Sequence, residues 1–151
     1  MLVMIRLIIF MLSGMLFLVL GGVVNAQSRM ERTVIWVHSN LIDDYCSCVA
    51  FYTNAAIILE ESDKQSAQKF DRHIESLGKR IISLGEKSGF KEAVLNAKLE
   101  LAYKDINKEM GNDQKNFSII LNKYGTFCLD IVERPENRMK YWSDKAIKEN
   151  R

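Results

Sequence analysis

Apolar side chains recur along this chain at steps of three and four, the period of a helix that buries one face. The first stripe is Leu41, Tyr45, Cys48, Tyr52, Ala55 and Leu59, widened by Ile57 and Ile58. The second is Ala67, Phe70, Ile74, Leu77, Ile81 and Leu84. The third is Leu95, Leu99, Ala102, Ile106 and Met110, with Val94 and Leu101 broadening it; the fourth is Phe117, Leu121, Tyr124, Cys128 and Ile131, with Ile120 alongside. These flanking apolar positions suit a globular core better than the narrow seam of a coiled coil.

Boundary residues agree with this division. Ser39 or Asn40 can cap the first helix, where Asp43 and Asp44 suit the positive end of its dipole, and the helix is expected to end near Glu61. Ser62 with Gln65 reads as a capping box for the second, and Gly89 closes it. Gly111 follows the third stripe where a left-handed residue is wanted, and Asn112 or Asp113 can cap the fourth. Pro135 suits the first turn of a short fifth helix holding Met139, Tyr141 and Trp142. Thr33–Val37 has no visible partner strand and is expected to be helical or irregular. The expected fold is all-α: an up-down bundle of four main helices plus a short C-terminal helix.

A different pattern precedes the stripes. Arg6 is followed by an almost unbroken apolar run, Leu7–Leu20, and then by small or apolar Val24 and Ala26 before polar Gln27. That is the layout of a secretory signal peptide cleaved between Ala26 and Gln27. The expected division is a signal peptide over 1–26, a lead segment over 27–40 and the bundle over 41–151. The rival is a retained anchor, because Leu7–Val24 is just long enough to span a bilayer with tilt. The run stops short of a comfortable span, and Arg29 and Arg32 are interleaved with Glu31 in place of a stop-transfer cluster. Export to a periplasm or the extracellular space is therefore expected, with membrane contact only if the segment is not cleaved.

About 125 residues remain after the signal, enough for one domain with a core of its own. Without Arg6 they carry 20 basic side chains against 19 acidic ones, interspersed as on a solvated helical surface. A nucleic-acid footprint would cluster its positive charge, so no nucleic-acid partner is expected. Candidate chemistry is sparse. His38 and His73 are the two histidines, and no HExxH, CxxCH, GxSxG or phosphate-binding loop occurs. No catalytic residue, cofactor or metal is expected. The chain reads as a non-enzymatic module for an unknown protein or small ligand, or alternatively as a carrier of an apolar ligand among the aromatic rings of the bundle core.

All three cysteines follow the signal, where an oxidising compartment permits a disulfide. Cys46 and Cys48 lie about 200° apart around one helix and cannot bond each other. Cys48 sits near the centre of the first stripe and Cys128 on the fourth, so these two are expected to pair. The bond closes a loop of about 80 residues, worth about 3–4 kcal/mol in the entropic account. Two buried free thiols are the alternative. Cys46 is the spare thiol, expected off the core face, where it is inert or links two chains.

The arrangement Cys48-x-x-Phe51-Tyr52, then Tyr124-Gly125-x-x-Cys128, then Pro135-Glu136-x-Arg138-x-x-Tyr141-Trp142 resembles small exported helical proteins of bacteria over about 100 residues. The resemblance implies the helical fold, the Cys48–Cys128 pair and a periplasmic-type location, and it implies no activity. Cys46 departs from that pattern.

Overall fold

The first helix, α1, spans Leu2–Leu59 and is followed by α2 (Lys64–Lys87), α3 (Glu92–Glu109), a single 3-10 turn (Gln114–Asn116), α4 (Phe117–Glu133) and α5 (Pro135–Lys148). The computed structural model describes residues 28–149 in full and residues 2–27 by secondary structure alone. The signal peptide expected over 1–26, and its cleavage between Ala26 and Gln27, lie outside the fully described residues. The fold is all-α, with no strand among the described residues. Also among the described residues, no helix is long and apolar enough to cross a membrane.

The α1 helix is the axis of the molecule and touches each of the other four helices. Leu41, Ile42, Tyr45, Cys46, Cys48, Val49, Ala50, Phe51 and Tyr52 are all buried, so this stretch presents no solvent face wider than one or two side chains. A helix that is apolar all round belongs in a core. The one-sided stripe read from Leu41 to Leu59 is thus only part of the buried surface. No boundary falls at residue 40 either. Thr33–Val37 is helical, and Ser39 and Asn40 are interior to α1. Asn40 donates from its side chain to the Trp36 carbonyl one turn back, a bond that lets a capping residue type sit inside a helix.

Side-chain pairings fix the directions of the remaining helices. Ser88, at the end of α2, meets His38, so α2 runs antiparallel to α1. Lys98 in α3 reaches Ser39 and Asp43, while Tyr103, further along, reaches Thr53, so α3 runs parallel. Phe117 and Tyr124 of α4 stack near Phe51, and Cys128 meets Cys48, so α4 is antiparallel. Arg138 and Trp142 then continue down α1 to Asp44 and Trp36. Thus α4 and α5 run end to end in one direction. The break between them is Arg134, whose φ of −136° and ψ of 61° leave the helical region where the following proline disfavours it.

Local turns differ from expectation by small shifts. Asp63 caps α2 by accepting from the Ser66 backbone N–H, and Ser62 does not. Asp113 caps the 3-10 turn through the Lys115 N–H. Gly89 and Gly111 have φ of 69° and 65°, the left-handed conformation in which glycine carries no steric cost.

Candidate functional site

The helices α2 and α3 pack tightly at their connected end and part further along. At Gly85 an added Cβ would lie 2.6 Å from Leu95 Cδ1, so glycine is what permits this approach. Seven residues back, at Gly78, a Cβ would meet nothing within 4 Å. The gap is an apolar groove of about 520 Å³. Its floor is Val49 of α1; Ile74, Gly78, Ile81 and Ile82 form one wall, and Phe90, Leu95, Asn96 and Leu99 the other. Ile82 is 56% exposed, an isoleucine held in solvent at the rim. The charged residues lining the groove are Glu86 and Glu92, both carboxylates. Its volume falls in the range of small-molecule sites, which pair apolar walls with a few polar groups.

Sequence reasoning placed Ile74, Ile81, Leu95 and Leu99 on core stripes. The structure leaves Ile74, Leu95 and Leu99 only half-buried and turns them toward the groove. The legible signal was Gly78: a glycine inside a strict apolar stripe weakens a helix unless space beside it matters.

A second constellation joins α5 to α1. Asp44 accepts two hydrogen bonds from Arg138, Nε at 2.6 Å and Nη2 at 3.1 Å, and a third from Trp142 Nε1 at 2.5 Å. The Asp44 and Arg138 side chains are 14% and 23% exposed, so solvent screens this pair weakly. The guanidinium of Arg138 also lies over the rings of Phe127, Tyr141 and Trp142, 4.3–5.0 Å from their centroids. A planar cation can hold a carboxylate at its edge and stack through its faces, as a lysine cannot. Asp43 and Asp44 are therefore mid-helix anchors, correcting their assignment to a helix N-terminus. Asp43 pairs with Lys98 at 2.6 Å.

The sulfurs of Cys48 and Cys128 are 2.10 Å apart, joining α1 to α4 across 80 positions. Cys46 is a free thiol and fully buried, which corrects its placement off the core. The reason is the all-round burial of α1, since the face opposite Cys48 is covered by other helices. Burial, with a smaller contribution from Asp43, pushes the Cys46 thiol up to about 12. A thiol so hard to ionise is a poor nucleophile and a poor metal ligand.

His38 and His73 lie far apart along α1 and α2. His38 Nδ1 is 2.7 Å from Ser88 Oγ, and burial, then Lys87, lowers its pKa. His73 lies against Tyr52 and Phe70; burial, then Lys69 and Arg72, lowers its pKa. His73 meets neither a thiol nor a serine; His38 meets the Ser88 hydroxyl, but among the described residues no third group is hydrogen-bonded to its other ring nitrogen to orient it as the base of a nucleophile. Among the described residues no three His, Cys, Asp or Glu side chains converge to hold a metal ion. Comparison with known proteins finds no matching family model, no matching curated protein and no matching solved structure.

Proposed function

We propose that the chain is an exported, non-enzymatic binding module that takes a small apolar ligand in the groove between α2 and α3. The groove carries the reading: some 520 Å³ bounded by isoleucine, leucine and phenylalanine. Its two charged residues, Glu86 and Glu92, favour a ligand with a cationic or hydrogen-bond-donating head on an apolar chain or ring. An anionic head would face two carboxylates. The ligand site of this proposal lies outside the packed bundle core in which a carrier would first be sought.

Export is supported by the apolar run and small-residue junction ahead of Gln27, and by a cysteine pair at bonding distance, which persists in oxidising compartments. The helices that form the groove are held against α1 by buried apolar packing and by the His38–Ser88, Asp43–Lys98 and Thr53–Tyr103 contacts, so the site is formed before a ligand arrives.

Native mass spectrometry of the protein purified from an exporting host tests the reading. The expected spectrum shows the chain from Gln27 with a small organic molecule bound, and the Gly78→Phe variant, whose ring fills the groove, without it. Co-purification of the same molecule with both proteins would rule out the groove as its site.

A further inference from the structure

We infer that the end of the molecule built from residues 28–36 of α1 and residues 140–149 of α5 seats on an anionic lipid bilayer. This surface shares no residue with the α2–α3 groove and goes beyond the ligand reading. It rests on placement first. Arg138 meets Asp44 and Trp142 meets Trp36, so α5 runs antiparallel along α1 and its C-terminal end approaches the Ser28 end. Two separate segments thus build one pole.

Apolar side chains stand in solvent there. Met30 is 70% exposed and Ile147 is 74% exposed; Val34, Ile35 and Tyr141 are also exposed. Single exposed apolar residues are ordinary, but five gathered at one pole, interleaved with cations, make an amphipathic surface. The two segments hold five cations, Arg29, Arg32, Lys140, Lys145 and Lys148, against three carboxylates, Glu31, Asp144 and Glu149. The excess is positive in a chain that is otherwise nearly balanced. Trp36 and Trp142 meet edge to face at the same end, with Lys145 Nζ 4.8 Å from the Trp142 ring. Tryptophan, tyrosine and lysine with an apolar fringe are the residue types that settle at a membrane–water interface.

Continuity along the chain identifies the occupant as a bilayer. The apolar run Leu7–Leu20 stands immediately ahead of this pole, so export brings the pole to a membrane surface before any cleavage. After cleavage at Ala26 the exposed Met30, Val34 and Ile35 remain, and the pole then depends on its own apolar contacts and charge. Each cation near an anionic surface contributes about 1 kcal/mol, so the net excess gives weak, reversible binding.

Vesicle co-sedimentation of the chain from Gln27 tests this. Among the described residues every buried core residue lies at Val37 or beyond, so that chain contains this core. The expected result is binding to phosphatidylglycerol–phosphatidylcholine vesicles about tenfold stronger than to phosphatidylcholine alone, weakening as salt is raised. The double variant Met30→Asp with Ile147→Asp should lose about tenfold. Ile57→Asp, exposed and toward the opposite end of α1, should bind as the parent does. Circular dichroism confirms that each variant is folded. Equal binding to neutral and anionic vesicles, binding to neither, or an equal loss from Ile57→Asp would each overturn the inference. Absence of binding would leave the pole to a protein partner.

Discussion

Asp44 and Cys46 are two residues apart on α1, and each acts differently from its local sequence context. Acidic residues near a helical stripe ordinarily complement a helix N-terminus, but Asp44 is nearly two turns inside the stripe's true extent and anchors α5. Removing its charge while leaving Arg138 and Trp142 in place strands three N–H donors on two side chains. Asp44→Ala should therefore cost about 1–3 kcal/mol by denaturant unfolding. Arg138→Lys should also be destabilising, since lysine can neither bridge both carboxylate oxygens nor stack on three rings. Cys48→Ser and Cys128→Ser should each cost about 2–5 kcal/mol, and the two together no more than either alone, because one bond is lost in both. Cys46→Ser buries a hydroxyl in an apolar site and should cost about 1–2 kcal/mol. In the folded protein Cys46 should resist thiol reagents at neutral pH and react once denaturant exposes it; prompt labelling of the native state would contradict its burial. The histidines give a pH signature. Each has a folded pKa below the ordinary 6.5, so the unfolded chain binds protons that the folded chain does not. Their contribution is fully present above pH 6.5 and is lost as pH falls below it. A double His38→Gln, His73→Gln variant should flatten the unfolding midpoint against pH across that window.

At the scale of elements, the four stripes and the short fifth helix were legible because each surrounding helix buries one face, which three-and-four periodicity reports. The α2 stripe, from Ala67 to Leu84, matches its buried face closely. What periodicity could not report is the surface of α1, which has no outside. Its sign was the run Tyr45–Tyr52, where Ser47 is the one polar residue in eight. In α4 one member of the stripe is misplaced, while Cys128 and Ile131 are buried as expected. Ile120 is buried while Leu121 is exposed, its side chain lying 3.3 Å from where a Cβ on Gly125 would stand. Val94 and Leu101, expected to broaden the α3 face, are exposed too, because α3 covers α1 along a narrow strip. The glycines of α2 separate two physical roles. Gly78→Ala meets open space and should gain up to about 1 kcal/mol of helix propensity. Gly85→Ala gains the same propensity but drives into Leu95, and overpacking of about 1–3 kcal/mol should cancel or exceed the gain. Equal stabilisation by both substitutions would show that α2 and α3 are not in contact at Gly85.

Across the whole molecule, a buried axial helix gathers three further layers of helix, and two cross-links hold the α4–α5 layer in place. The disulfide ties α4 to α1, and the Asp44–Arg138–Trp142 anchor ties α5 to α1. No comparable anchor closes α2 onto α3 beyond Gly85, and that is where the groove opens. Beyond the glycine at position 78 this feature was not legible in the sequence, since it depends on the angle at which two helices part, and Ile74, Ile81, Leu95 and Leu99 read there as ordinary core positions. The most direct test is a calorimetric titration of the chain from Gln27 with a single-chain quaternary ammonium amphiphile below its micelle concentration, beside the same titration of Gly78→Phe. The account predicts saturable one-to-one binding by the parent, at least about tenfold weaker binding by the variant, and a variant as stable as the parent, since the substituted side chain enters open space. Equal affinities in the two proteins, or no saturable binding by the parent, would contradict it.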